Sequence, residues 1–297
     1  MCEPCLLCKC TDTHKSYQLS AHAIAVCERC GFEYHPGFRG GGGDQETFSE
    51  EYYKEQHKNA FQAQFGDYMR DPSAPVYQHW LGRIEERIPK GRMLDVGSAL
   101  GTFLKISEGR GWTPEGVEVS RFASEFARRE RRLNVFHGDL GDFGAAEESF
   151  DAITFWDSIE HVMSPRENLE TAARMLRGGG LMLLTTDNFD CLVADTARVA
   201  YRLSFGGFRY AMDKVFIDRN RSYFTEATLR SLLVTCGLRV VVFEKMEYPL
   251  NKVAVGPVER TLLRGFYAAA QLLHREAQIT VLAEKPHRLA TGTARRL

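Results

Sequence analysis

Between residues 92 and 187 the apolar positions follow two alternating rhythms. Short apolar runs ending in an acid or a glycine alternate with stretches in which apolar residues recur every three or four positions. "MLDVG" (93–97), "PEGVEVS" (114–120), "NVFHGD" (134–139), "FDAITFWD" (150–157) and "LMLLTTD" (181–187) read as strands. Residues 101–110, 121–132 and 166–180 read as helices, with Phe122 and Phe126 one turn apart and the last helix stopped by its glycines. This βαβα order predicts an α/β fold, a parallel sheet with helices on both faces. Downstream, residues 225–237 read as a helix with a threonine N-cap and a glycine stop, and 238–246 and 277–286 as two further strands. Upstream, residues 47–70 read as a helix with Phe48, Tyr52, Phe61, Phe65 and Tyr68 as buried contacts, and 76–87 as a second helix. The rhythm lapses over 189–224, which reads as a lid or cap, and over 247–278, which reads as a helical insertion before the last strand; 287–297 is a tail.

The first 38 residues follow neither rhythm. Six of the eight cysteines fall in the first thirty positions, so they form a local cluster and not a framework spread over the fold. "CLLC" and "CERC" give two C-x₂-C pairs separated by eighteen residues, the spacing of a zinc ribbon, with Cys5, Cys8, Cys27 and Cys30 as ligands. Cys2, Cys10 and His35 are spares, and "GFEYHP" reads as the ribbon's last strand. A closed four-thiolate set has no open position for chemistry, so the zinc is structural. "RGGGGD" (39–44) is a flexible linker, and residues 39–90 connect the module to the main domain, 91–286.

Composition narrows the class. The 297 residues carry a formal net charge of −1, which gives no whole-chain attraction to nucleic acid or acidic membranes and leaves only a local basic patch open. No apolar stretch reaches the ~20 residues needed to cross a bilayer, and the start lacks an apolar signal core, so the expected location is cytoplasmic.

The loop after "MLDVG" carries the candidate chemistry. Gly97 and Gly101 let the backbone approach a ligand and let the next helix start close by. A dinucleotide fingerprint would need glycine where Ala99 stands, and a Walker loop would need a following G-K-[ST]. The loop therefore suits a nucleoside without a phosphate chain. Glu118 ends the second strand about 20 residues on, where an acid accepts from ribose hydroxyls, and Asp139 after the third can accept from an exocyclic amine. Three acids at successive strand ends repel polyphosphate and suit a ligand carrying an amine and a sulfonium. A structural alternative is that each acid only caps a helix.

These residues resemble a class I S-adenosylmethionine-dependent methyltransferase, over residues 91–286 and most strongly over 92–188. "DVGSALG" matches the family's acid-rich glycine loop with Ala99 for the middle glycine, and "SYFTEATLRSLLVTCGL" its helix after the insertion. The resemblance implies a Rossmann-like sheet of seven strands, the last inserted antiparallel. It implies S-adenosyl-L-methionine bound by Asp95, Gly97, Ala99 and Gly101 along the methionine part, Glu118 and Val119 at the ribose, Asp139 and Leu140 at the adenine, and Trp156 and Asp157 beyond. In "WDSIEHVMSP", His161 is the candidate base by its near-neutral pKa, the alternative being a structural cap. The same stretch resembles the E-x-x-E-H motif of ubiquinone-pathway O-methyltransferases, which implies Mg²⁺ at Asp157, Glu160 and His161.

The expected acceptor is a small molecule, a secondary metabolite or cofactor intermediate methylated on oxygen, with Tyr52, Tyr53, Phe208, Tyr210 and Tyr223 as rings that stack on it or simply pack. Two rival readings stand beside it. An rRNA or tRNA methyltransferase also joins a zinc module to this fold, but Glu3, Asp12, Glu28 and Glu33 offset the ribbon's few cations. A non-catalytic zinc-ribbon interaction protein on the same fold would have no need of Asp95, Gly97, Gly101 and Glu118. Oligomeric state has no signature in the sequence.

Overall fold

The computed structural model describes residues 3–38, 48–56, 68–248 and 257–287. The linker 39–44, Phe61, Phe65, Cys2, part of the insertion and the tail beyond 287 lie outside them.

Seven strands form the main sheet: β4 (Arg92–Val96), β5 (Thr113–Glu118), β6 (Val135–His137), β7 (Phe150–Trp156), β8 (Leu176–Asp187), β10 (Arg239–Met246) and β11 (Gln278–Glu284). Their order is β10-β11-β8-β7-β4-β5-β6, with β11 antiparallel to both neighbours and the inner strands parallel. The chain runs outward from β4 to β6, then returns to β7 on the other side of β4. That reversal opens a crevice at the carboxyl ends of β4 and β7, where α/β sheets bind ligands.

Both faces are covered. Leu169 and Ala172 of helix Pro165–Met175 and Leu229, Leu232 and Leu233 of helix Glu226–Thr235 pack with Ile153, Phe155 and Leu184. Trp80, Leu81 and Ile84 of helix Ala74–Glu85 and Phe103 and Ile106 of helix Thr102–Gly109 pack with Ala152, Leu183 and Leu282. The Thr225 cap forms as expected, its hydroxyl accepting from Thr228 N, and Gly237 follows the same helix at φ +77°. The expected glycine stop of residues 166–180 does not. That helix ends at Met175, and 178–180 lie within β8, where the pairing steps from Leu176 opposite Phe150 to Leu181 opposite Ala152. Gly180 sits so close that a Cβ would lie 2.9 Å from the carbonyls of Arg177 and Asp151. The glycines serve a strand bulge, which has the same composition as a cap.

The cysteine module contributes β1 (Thr13–Gln18), β2 (Ala23–Cys27) and β3 (Glu33–Tyr34) to a second sheet. "GFEYHP" is not the last strand of it: β9 (Ser222–Tyr223) pairs with β3, Glu33 opposite Tyr223 and Tyr34 opposite Ser222. Leu6, Leu7, Phe32 and Tyr34 lie in one apolar cluster with Phe155, Leu184 and Phe224. The segment read as a lid holds helices Leu192–Leu203 and Tyr210–Val215, whose Ala197, Met212 and the following Phe216 pack on Tyr17, Leu19 and Ile24 of the module. Its apolar inner face thus covers the small sheet.

Candidate functional site

At the end of β4 the chain turns through three left-handed residues, Gly97 (φ +80°), Ala99 (φ +47°) and Gly101 (φ +81°). The N–H groups of Gly97 and Ser98 both donate to Val117 O, folding the loop over β5. The two glycines meet protein on their open sides. A Cβ on Gly97 would lie 2.6 Å from Ser158 Cβ, and one on Gly101 would lie 2.6 Å from Leu133 Cδ1 and 3.3 Å from Ala127 Cβ. Gly101 therefore lets helix Arg121–Arg131 and Leu133 press against the loop, a packing role not visible in the motif.

Ala99 has a Cβ in a conformation that costs an L-residue about 1–2 kcal/mol. Its N–H donates to Glu118 Oε2 at 2.7 Å, and Ser120 N donates to Glu118 Oε1 at 2.7 Å. The buried Glu118 thus holds the loop and the start of the next helix together. Burial pushes its carboxyl up, while the backbone donors of Ser120, Ala99 and Val119 pull it back. Asp95 lies below the loop, 2% exposed, and among the described residues accepts only from Thr154 Oγ1 at 2.7 Å. Burial, with Glu118 adding to it, pushes Asp95 up to about 7. Asp139 stands at the N-cap of the turn Leu140–Asp142, yet its side chain makes no cap bond and is exposed, while Leu140 beneath it is buried.

The second cluster follows β7. Trp156 packs on Tyr77 and Phe103, ring centroids 4.7 and 5.1 Å away. Asp157 is left-handed (φ +46°), and its Oδ1 accepts from Thr185 Oγ1 and Gln278 Nε2, both at 2.9 Å. Ser158 Oγ donates to Val96 O at 2.7 Å, tying this loop to the first. The buried Glu160 accepts from Thr186 Oγ1 at 3.0 Å, and burial together with Asp157 and Asp187 raises it well above the ordinary range. His161 Nδ1 lies 3.0 Å from Arg219 O. A carbonyl only accepts, so Nδ1 carries the proton and Nε2 keeps its lone pair. Burial lowers the pKa of the imidazole. Phe48 packs edge-on to His161 at 5.6 Å, Tyr52 packs on Phe48 at 5.2 Å, and Ser120 Oγ donates to Phe48 O at 2.6 Å. The short helix Glu50–Gln56 thus bridges both clusters, with Tyr53 buried beside Leu100 and Ala123.

The Mg²⁺ set expected from the E-x-x-E-H likeness is not assembled. Among the described residues, the one group of three or more such side chains with ligand atoms within 4.8 Å of one another is Cys5, Cys8, Cys27 and Cys30. Asp157, Glu160 and His161 turn to three different partners, Gln278, Thr186 and Arg219 O. Tyr223 is also corrected: it is fully buried against Phe189 and Phe216, so it is packing and not an acceptor-stacking ring. Phe208 and Tyr210 are exposed. Thr154, Ser158 and the carbonyl of Arg219 were not legible as site residues, since an ordinary Ser, Thr or backbone carbonyl has no signature.

The cysteines sit on two matching knuckles. Cys5 N donates to Cys10 O and Lys9 N to Cys5 O; Cys27 N donates to Phe32 O and Gly31 N to Cys27 O. Lys9 (φ +59°) and Gly31 (φ +68°) are left-handed at equivalent places. Cys5 and Cys30 Sγ are 3.6 Å apart, Cys8 and Cys27 Sγ 3.5 Å. Of the spares, Cys10 packs beside this group and His35 packs at a tilt on His22, ring centroids 4.5 Å apart.

A protein-family model described as "Methyltransferase domain" matches residues 69–242. A ubiquinone biosynthesis O-methyltransferase of Alkalilimnicola ehrlichii is 31% identical over 116 residues, 36% of this chain and 44% of that protein. An uncharacterised protein of Methanocaldococcus jannaschii is 26% identical over 114 residues, 38% of this chain and 53% of that one. The chain spans about half the length of the curated relatives it matches. Among solved structures, phosphoethanolamine N-methyltransferase 2 of Haemonchus contortus, in complex with S-adenosyl-L-methionine, superposes with a TM-score of 0.57 at 16% identity, covering 81% of this chain and 60% of that one, a likeness of fold. The seven-stranded order, the loop at its switch point and a family match over more than half of the residues agree, and the chain belongs to the methyltransferase domain family.

Proposed function

We propose that this protein transfers a methyl group from S-adenosyl-L-methionine to an oxygen of a small-molecule acceptor, a secondary metabolite or cofactor intermediate. The observation that carries the reading is the set of acids at three adjacent strand ends. Among the described residues Asp95 is buried with a single neutral donor, Glu118 keeps a lone pair beyond the backbone N–H groups of Ala99, Ser120 and Val119, and Asp139 makes no cap bond. Such acceptors fit a ligand with an ammonium, ribose hydroxyls and an exocyclic amine. When bound, S-adenosyl-L-methionine supplies an electrophilic methyl on a sulfonium. The protein's part is alignment, charge and proton removal. Asp95, with Gly97, Ala99 and Gly101, faces the methionine part, Glu118 and Val119 the ribose, Asp139 and Leu140 the adenine; Trp156 and Asp157 flank the crevice beside them. His161 would take the acceptor's proton on Nε2, and its Nδ1–H bond to Arg219 O holds that tautomer.

The cysteine cluster fits zinc. Four Zn–S bonds of ~2.3 Å at tetrahedral angles place sulfurs ~3.8 Å apart, close to the 3.5 and 3.6 Å seen here. With every position filled by protein, the ion holds the two knuckles and takes no part in methyl transfer.

Calorimetric titration with S-adenosylhomocysteine, with NADH as control, tests the reading on protein shown by elemental analysis to carry one zinc per chain. Binding of S-adenosylhomocysteine alone, weakened at least ~100-fold by Glu118→Ala, is expected. Folded, zinc-loaded protein that binds neither compound would overturn it.

A further inference from the structure

The hairpin of helices between β8 and β9 has an outer face that none of the described residues covers. Eleven large apolar side chains are exposed among the described residues, and six of them fall between 193 and 210. Val193, Val199 and Leu203 lie along the outer side of helix Leu192–Leu203, whose inner side buries Ala194 and Ala197 and sends Arg198 to Glu33 at 2.6 Å. The tip then presents Phe205, 100% exposed, followed by Phe208 and Tyr210. This exposure is built. Gly206 N donates to Tyr201 O, Gly207 N to Ser204 O and Phe208 N to Ser204 Oγ, each at 2.9 Å. That turn keeps Phe205 at φ +52°, an unfavourable conformation for a bulky residue, with its ring in solvent.

The exposed charged residues between 193 and 214 are all basic. Arg202, Arg209 and Lys214 are exposed, and Lys214 lies 5.7 Å from the centre of the Tyr210 ring. The two acids of 193–214 are both engaged: Asp195 meets Arg198 and Arg275 at 3.4 and 3.3 Å, and the two oxygens of Asp213 accept from Ser20 N and Oγ at 3.0 and 2.6 Å. Apolar rings and aliphatic side chains ringed by cations complement an anionic lipid surface, into which aromatic residues insert while arginine and lysine meet the headgroups. A second copy of the chain fits less well, because a two-fold contact would press the same cations together. No described helix is long and apolar enough to cross a membrane, so the contact is with the surface.

We propose that residues 193–214 form a docking surface for anionic phospholipid bilayers. This is independent of the methyl-transfer reading and revises the expectation of no membrane partner. The test is co-sedimentation of the full chain with vesicles of phosphatidylcholine alone or with about 30 mol% phosphatidylglycerol. Binding to the mixed vesicles at least ~10-fold tighter than to neutral ones, and lost in about 0.5 M salt, is expected. Phe205→Ser with Phe208→Ser should weaken it at least ~10-fold, with circular dichroism and S-adenosylhomocysteine affinity unchanged. Lys214→Glu, which leaves the rings in place, should weaken binding to the anionic vesicles alone. Absence of binding to both vesicles would overturn the proposal. So would binding indifferent to all three changes, or a dimer in sedimentation equilibrium that the double variant dissolves.

Discussion

The two loops that meet across the switch point are built in different ways. The loop after β4 is made by neighbours in sequence: Gly97 to Gly101 turn, and Glu118, one strand later, accepts from Ala99 and Ser120. The loop after β7 is made by strangers. His161 is held by Arg219 O and packed by Phe48, Asp157 by Gln278, Glu160 by Thr186. A local motif can be kept intact through wide divergence elsewhere. A pocket assembled from distant segments changes whenever any one of them changes. On the proposed reading, the first loop suits a constant ligand and the second a variable acceptor.

The largest expected effect separates the two halves by function. His161→Ala should lower methyl transfer to an oxygen acceptor by ~10²–10⁴-fold, with S-adenosylhomocysteine affinity unchanged by calorimetry. Because burial lowers the imidazole's pKa, the acid limb of the parent's rate profile should lie below the ordinary histidine value of ~6.5. Equal loss of cofactor affinity would show that the halves are not separable.

Smaller is the effect of Gly101→Ala. The added methyl meets Leu133 and Ala127 at a left-handed position, so urea unfolding should show a loss of about 2–3 kcal/mol. Unchanged stability would mean that the loop is looser than its packing indicates.

The smallest concerns Asp95→Asn. Its folded pKa of about 7 lies above the unfolded value of ~3.9. A group raised in this way contributes fully below pH ~4 and loses that contribution as pH rises through 7. Asparagine can still accept from Thr154 without a buried charge. Ionising the buried carboxyl costs about 4 kcal/mol by pH 8, and the buried amide N–H of asparagine gives back about 1–3 of it. The variant should therefore exceed the parent by about 1–3 kcal/mol at pH 8 and lose that advantage by pH 4, measured by urea unfolding at each pH, while binding S-adenosylhomocysteine more weakly.

Legibility follows the same division. Asp95, Gly97, Gly101 and Glu118 could be found because turn geometry and strand-end acids leave marks within about twenty-five residues. The Thr225 cap and Gly237 were legible for the same local reason. The glycines at 178–180 were misread because a bulge and a helix cap call for the same residue. β9 was invisible, since two residues have no periodicity. Without it, the segment around Tyr223 looked like part of an acceptor pocket and not like the inner wall of the small sheet. The E-x-x-E-H likeness gave residue types but not directions, and direction decides whether three side chains can share an ion.

The pairing of Glu33 with Tyr223 also sets a timetable. On a ribosome adding about 5–20 residues per second, the strand that completes the small sheet emerges some ~10–40 s after the one it pairs with. Through that interval all four cysteines have been made, while the partner of β3 has not. An ion captured then would keep the early part of the chain in register until its late partner arrived.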